Sequence, residues 1–262
     1  MFRLSTTFMP GANSPTGLRP TSAKVARMAA SSYSARARLQ PALLAAFPLS
    51  ALSVAIFVAK PSWWSSLIAV GGASGVSTLA AQVARAAGRS REPELWERWG
   101  GPPTSSALRH RSATNPVQLH RYHAAIKRIL GITLPTAEEE ATDPVKADLE
   151  YETAVKGLIE RTREPDKFPV VFEELCSYGF RRNLFGLREA ALAACLFSAI
   201  GSALGVFLAS SGSHDLLPEP FVVVLALDVA EALFMWRAVT PEWVRDPSET
   251  YAKALLGATE KM

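Results

Sequence analysis

The stretch Pro41–Ala59, PALLAAFPLSALSVAIFVA, contains no Asp, Glu, Lys or Arg, and its reading decides the fold class. A bilayer core of about 30 Å needs roughly twenty helical residues rising about 1.5 Å each, and a run this long without a polar face does not suit a helix half-exposed to water. Two more runs, Pro61–Ala84 and Ala190–Ser213, are equally free of charge. A fourth, Phe221–Trp236, is shorter and interrupted by Asp228 and Glu231, but Val222, Val223, Val224, Leu225, Leu233 and Phe234 surround the acids. It completes a second hairpin, since a lone third span would strand the C-terminus on the far side. The expectation is an all-α integral membrane protein in which two transmembrane hairpins, 39–86 and 189–240, flank a cytosolic helical domain, 87–188. A basic tail, 1–38, and a C-terminal tail, 241–262, lie at the ends.

Arginine placement sets the threading. Arg36 and Arg38 precede the first run, Arg85, Arg89 and Arg91 follow the second, Arg181, Arg182 and Arg188 precede the third, and Arg237 and Arg245 follow the fourth. The two short connections carry Lys60 and no Arg. The excess of positive charge on cytoplasmic flanks then places both termini and the insert inside the cell, with Trp63 and Trp64 at the outer interface and Trp236 at the inner one. The net charge of +4 is explained by flanks facing anionic headgroups, so nucleic acid is not an expected partner. Cys176 and Cys195 cannot form a disulfide framework, lying on the reducing side or in lipid, and read as packed thiols.

The first forty residues contain Arg3, Arg19, Lys24, Arg27, Arg36 and Arg38, and no acid occurs before Glu92. The segment reads as a disordered basic tail or an over-extended gene start, with Met9 or Met28 as initiator, in a bacterial inner-membrane protein. The alternative is a transit peptide and an organellar membrane.

The insert reads as helices. Trp96 and Trp99 sit in a polar run ended by Gly100-Gly101-Pro102-Pro103. Asn115-Pro116 is a cap with Pro at the first helical position, before Leu119, Tyr122, Ile126, Ile129 and Leu130 on one face. Thr136 and Glu139 have capping-box spacing, and Asp143-Pro144 opens a longer helix expected to bury Val145, Leu149, Tyr151, Val155, Leu158 and Ile159.

Asp228 and Glu231 share one helix face near mid-span, where a carboxylate costs about 2.5 to 3.5 kcal/mol on insertion scales. Three arrangements follow. The acids are protonated or hydrogen-bonded by Ser53, Ser74, Ser77, Ser198 or Ser202; or they line a wet, cation-friendly path across an oligomer; or the fourth helix is partly interfacial and both face water. In the insert, Thr104, Ser105 and Ser106 beside Arg109, His110 and Arg111 form a hydroxyl and guanidinium cluster suited to a small phosphorylated ligand, or simply a capped basic helix near lipid. From Phe168 to Leu187, Val170, Val171, Phe172 and Leu175 face away from Glu173 and Glu174, and Gly179 is expected to break the run. Phe180, Arg181, Arg182 and Asn183 then suit a helix at headgroup level that couples the insert to the third span. Gly71 and Gly75, and Gly201 and Gly205, are small residues spaced for close helix packing.

His120 and His123 lie three apart, but with Lys127 on the same face and no third ligand they fall short of a metal site. No Walker, dinucleotide-binding, nucleophile-elbow or paired CxxC pattern is present, so no catalytic residue, cofactor or metal is assigned and an enzyme is not expected. A lipid-acting enzyme using His110, His120 or His123 ranks last.

The phrases Leu95–Thr104 (LWERWGGPPT), Leu108–Arg111 (LRHR) and Ser177–Leu184 (SYGFRRNL) resemble those of a group of uncharacterised bacterial four-span inner-membrane proteins. The resemblance covers the insert and adjoining spans, and implies the membrane setting without an activity. Two functions remain open. One is a regulated membrane effector or sensor, whose insert receives a ligand or protein and controls the spans, opening a path past Asp228 and Glu231 in a homo-oligomer. The other is a non-conducting anchor whose insert recruits a soluble cytosolic protein.

Overall fold

The computed structural model describes residues 31–59, 76–211 and 216–262. Residues 1–30, most of the second apolar run, and the residues Lys60, Trp63, Trp64, Gly71, Ser74 and Gly75 lie outside them, as does the Ser77 side chain.

The described residues are all-α, without a strand. Helix α1 spans Ser31–Ala59 and contains one π-helical turn, Ala35–Leu39. It is followed by α2 (Val76–Ser90), α3 (Glu92–Trp99), α4 (Pro103–Ser106), α5 (Pro116–Leu130), α6 (Ala137–Thr142) and α7 (Pro144–Arg161). The chain closes with α8 (Pro169–Ser210), α9 (Glu219–Arg237) and α10 (Pro241–Gly257). Two of these helices, α1 and α8, are long and apolar enough to cross a membrane by length and composition, while α9 carries Asp228 and Glu231 within its apolar run.

The caps fall where local chemistry puts them. Asn115 accepts from the Gln118 amide, Thr136 and Glu139 form the reciprocal capping box, and Asp143 accepts from the Lys146 amide, so each helix start has a side-chain partner for an otherwise orphan N–H.

Helix α8 organises everything else. Its 42 residues rise about 63 Å, and it packs against α1, α2, α9 and α10. Its first turns enter a core with Ile126, Tyr151, Val155, Leu158, Tyr251, Leu255 and Leu256, through Val171. Its middle, around Leu184, Phe185, Leu187 and Ala191, meets Ala42 and Ala45 of α1, Leu95 of α3, and Met235, Val239 and Val244 of the α9–α10 corner. A third cluster joins α1 to α9 through Leu52, Ala55, Ala59, Phe221 and Val224.

Five expectations need correction. Gly179 does not end a helix: α8 runs through it, because the missing side chain admits α1. A Cβ there would stand 2.9 Å from both the Tyr33 hydroxyl and the Ala37 Cβ, and this packing outweighs a propensity loss of about 1 kcal/mol. The stretch 168–187 is therefore the start of one continuous helix and not a separate interfacial one. The α7 face is also rotated from that expected. Val145 and Leu149 are 73% and 60% exposed, and Ala147, Tyr151, Ala154, Val155 and Leu158 are buried, two alanines having set the true face. Finally, residues 241–262 are no tail, since Tyr251, Leu255, Leu256 and Ala258 help close the core of the insert, and residues 31–38 belong to α1.

The small-residue pairs act through different neighbours. Gly201 faces Leu52 and Gly205 faces the Phe221 ring, so both receive side chains. Backbones meet instead where α2 crosses α8: a Cβ on Gly186 would overlap the Ala87 backbone, and one on Gly88 would overlap Asn183.

Candidate functional site

A buried polar layer lies where α1, α8 and α9 pack together. Asp228 is 1% and Glu231 9% exposed, and Ser198 and Ser202 of α8 are fully buried. Ser198 Oγ donates to the Pro48 carbonyl of α1 at 3.0 Å. Both Asp228 oxygens, Glu231 Oε1 and Ser202 Oγ have no hydrogen-bond partner among the described residues. This placement corrects the arrangement in which both acids face water. It also separates the serines: Ser198 and Ser202 belong to the layer, whereas Ser53 donates to Leu49 O on its own helix. An ionised carboxylate in this layer would meet no cation, and burial without a partner is strongly unfavourable. The exposed surface around the layer is apolar. Leu43, Val54 and Ile56 of α1, Leu196, Phe197, Ile200, Leu204 and Phe207 of α8, and Val222, Val223, Val229 and Leu233 of α9 are all at least half exposed.

The predicted anion cluster divides in two. Arg109 is 7% exposed and fully engaged: Nε and Nη2 donate to Asp148 at 2.7 and 2.9 Å, and Nη1 donates to Gly100 O and Ser106 Oγ. Arg111 donates to the same carboxylate at 2.8 and 2.9 Å and to Glu140 at 3.0 Å. Glu140 also accepts from the amides of His110 and Arg111 and from the Tyr151 hydroxyl. Burial raises the Glu140 pKa, but these donors and the Arg111 charge outweigh it and hold the carboxyl below its ordinary range. Tyr151 is pushed above the ordinary phenol range, first by burial and then by Glu140. The guanidinium groups thus meet carboxylates of their own chain. Thr104 and Ser105 face elsewhere, lining a cleft of about 320 Å³ with Trp96, Tyr178, Ser248 and Tyr251. Burial pushes the hydroxyls of Tyr178 and Tyr251 up to about 12, so both are neutral donors at the cleft wall.

The Gly100–Gly101 turn exists for Arg109. Gly101 has φ +125° and a Cβ on it would stand 2.6 Å from Arg109 Nη2, so the glycine serves both the backbone and the guanidinium beneath it. The WGGPP and LRHR phrases are thereby two sides of one structural network.

Histidines in this region serve the same network. His110 Nε2 and His123 Nε2 lie 3.1 and 2.8 Å from the carbonyls of Pro135 and Leu108; a carbonyl only accepts, so Nε2 carries the proton in both. The two rings meet edge to face, while His120 stays exposed. Among the described residues no group of three or more His, Cys, Asp or Glu could hold a metal ion.

The predicted coupling residues are held by protein. Arg181 lies over the Trp243 ring and donates to the Trp243 carbonyl at 2.9 Å. That carbonyl lacks its helical donor because the residue four later is Pro247. Phe180 meets the same indole edge to face. Arg182 pairs with Glu92 and lies over Tyr178. Asn183 is wholly buried and donates to the Ala37 carbonyl in the π-helical turn at 2.6 Å. Arg188, read from the sequence only as a positive flank, caps the end of α9 by donating to Met235 O and Trp236 O at 3.0 and 3.1 Å. These side chains join α8 to α1, α3, α9 and α10.

Sequence reasoning missed Asp148 and Glu140, which stand 29 to 39 residues from the arginines they serve, and the hydroxyl that Tyr151 donates to Glu140. The only available signal was the demand of Arg109 and Arg111 for acids. No protein-family profile, curated protein or solved structure matches the chain.

Proposed function

We propose that the chain is a four-span protein of the bacterial inner membrane, with both termini and the insert in the cytoplasm, and that it is a regulated membrane effector. Its cytosolic helical domain controls the packing around Asp228 and Glu231. The observation that carries this reading is the continuity of α8: one helix holds Val171 in the cytosolic core and Ser198 and Ser202 against the acid layer. A rigid helix of about 63 Å transmits a tilt from one end to the other, and Arg181 and Arg188 tie that motion to the α9–α10 corner. The layer is closed in this arrangement. Binding at the cytosolic end that displaces α8 would open it to water, and since four helices enclose no wide pore, a cation path requires a homo-oligomer.

The test is cation flux through liposomes containing the purified full-length protein, its D228N/E231L variant and its R181Q/R188Q variant. The reading expects flux that falls in the first and has an altered threshold in the second. Absent flux, or flux indifferent to the acids, overturns it.

A second reading, a non-conducting anchor that recruits a soluble cytosolic protein, is favoured by the exposed Val117, Val145 and Leu149 of the insert. It expects V145N/L149N to abolish co-purification of such a protein and leave flux unchanged.

A further inference from the structure

We propose that Arg38 and Arg85 form a binding site for a phosphate group carried by an anionic lipid headgroup, in a cleft between the start of α1 and α2. This inference deepens the membrane reading and rests on it.

The cleft measures about 460 Å³ and is lined by Arg38 and Leu39 on one side and Gln82 and Arg85 on the other, with Ser34 among its wall residues. Arg38 leaves α1 in the π-helical turn and lies 5.2 Å over the Tyr33 ring, which holds the half-buried guanidinium in place. Arg89 follows Arg85 by one turn of α2, and Arg182 lies nearby.

The charge there is uncompensated. Neighbouring arginines of the same layer have acids: Arg36 pairs with Glu173, Arg91 with Glu94 and Glu189, and Arg182 with Glu92. Arg38, Arg85 and Arg89 have no ion-paired carboxylate among the described residues, and the field of Arg85, Arg182 and Arg89 adds to burial in lowering the Arg38 pKa. The sequence that flanks Arg38, Arg85 and Arg89 adds no acid of its own, since no Asp or Glu occurs before Glu92. Placing like charges across a cleft is unfavourable unless an anion joins them. Two planar guanidinium forks match a tetrahedral phosphate better than a carboxylate-free surface would require.

The position selects the source of that phosphate. Leu39 borders the cleft, and one turn on, Leu43 is 56% exposed and Phe47 41% exposed, so the guanidinium groups stand where the apolar surface of α1 begins. That is the headgroup level in the membrane reading.

The experiment uses full-length protein in detergent. Native mass spectrometry counts retained phosphatidylglycerol, and thermal unfolding is followed with added phosphatidylglycerol, phosphatidylcholine or inorganic phosphate. The parent should bind phosphatidylglycerol and gain thermal stability from it alone, and R38Q/R85Q should weaken that binding roughly thirtyfold. The exposed Arg85 carries the test through R85Q should the double variant fail to fold. Equal protection by inorganic phosphate, lost in the same variants, would support the phosphate site and assign it a soluble ligand. Undiminished phosphatidylglycerol binding by R85Q and by a folded R38Q/R85Q overturns the site. Retention of the protein in carbonate-washed membranes tests the membrane reading separately, so failure of one is distinguishable from failure of the other.

Discussion

Asp148→Asn isolates the network beneath the Gly100–Gly101 turn. In the parent this carboxylate receives two donors from Arg109 and two from Arg111. Neutralising it leaves the Arg109 guanidinium, 7% exposed, with neutral acceptors only, the new amide oxygen, Gly100 O and Ser106 Oγ, while Arg111 keeps Glu140 and partial solvent. Removing one partner of a buried pair costs about 3 to 5 kcal/mol, and the side chain of Asp148 is 31% exposed, which argues for the lower end, about 3 kcal/mol. At about 2 to 4 °C per kcal/mol for a chain of this size, the thermal midpoint of the full-length protein in detergent should fall by roughly 6 to 12 °C. Circular dichroism at 222 nm reads the transition. The sharper comparison is Arg109→Met with Asp148→Leu, which deletes both charges and leaves no charge unpaired in the buried site, Arg111 keeping Glu140; it should recover at least half of the loss. A midpoint for Asp148→Asn within about 1 °C of the parent, or a double variant worse than the single, would refute the argument that an unpaired Arg109 is the cause.

Three further outcomes follow from the packing and the titrating groups. Gly186→Ala should force α2 away from the backbone contact at Ala87 and destabilise by about 1 to 3 kcal/mol, whereas an unshifted midpoint would show that the crossing is looser than described. Leu158→Ala, wholly buried, should cost about 2 to 5 kcal/mol, while Leu149→Asn should stay within about 0.5 kcal/mol; the reverse order in thermal scans would mean that the α7 face is wrong. Burial lowers the His123 pKa from 6.5, so the unfolded chain takes up its proton first and stability falls as pH drops below about 6.5. His123→Gln should flatten the pH dependence of the midpoint between about pH 7 and 5, and an unaltered slope would assign that dependence elsewhere.

What could be read from the sequence was local. Asn115, Thr136 with Glu139, and Asp143 announce helix starts because a cap bond closes within three residues. The apolar run of α1 and the all-α character were legible for the same reason. The α7 face was misread because large residues drew attention from Ala147 and Ala154, and a single helix presents no partner to decide between faces. Gly179 was misread because its neighbours, Tyr33 and Ala37, are contributed by α1. The site followed the same rule. Asp228 and Glu231 were conspicuous as acids in an apolar helix, yet their burial against Ser198 and Ser202 is a tertiary fact. The engagement of Arg109 and Arg111 by Asp148 and Glu140 spans too much chain for any periodicity to record.

The docking of α10 imposes an order of events during synthesis. Tyr251, Leu255, Leu256 and Ala258 complete a core whose other members are made earlier, from Leu108 to Leu158 before α8 and Val171 in its first turn. Contacts between positions this distant are slow to form, because the intervening loop must be closed before any contact is gained. While α8 and α9 are being made, the half-built core exposes Ile126, Tyr151 and Leu158 to solvent without its last wall. The apolar helices α8 and α9 must therefore be made before this core can close, and a chain stopped before Tyr251 would remain a client of chaperones and proteases however well those helices had formed.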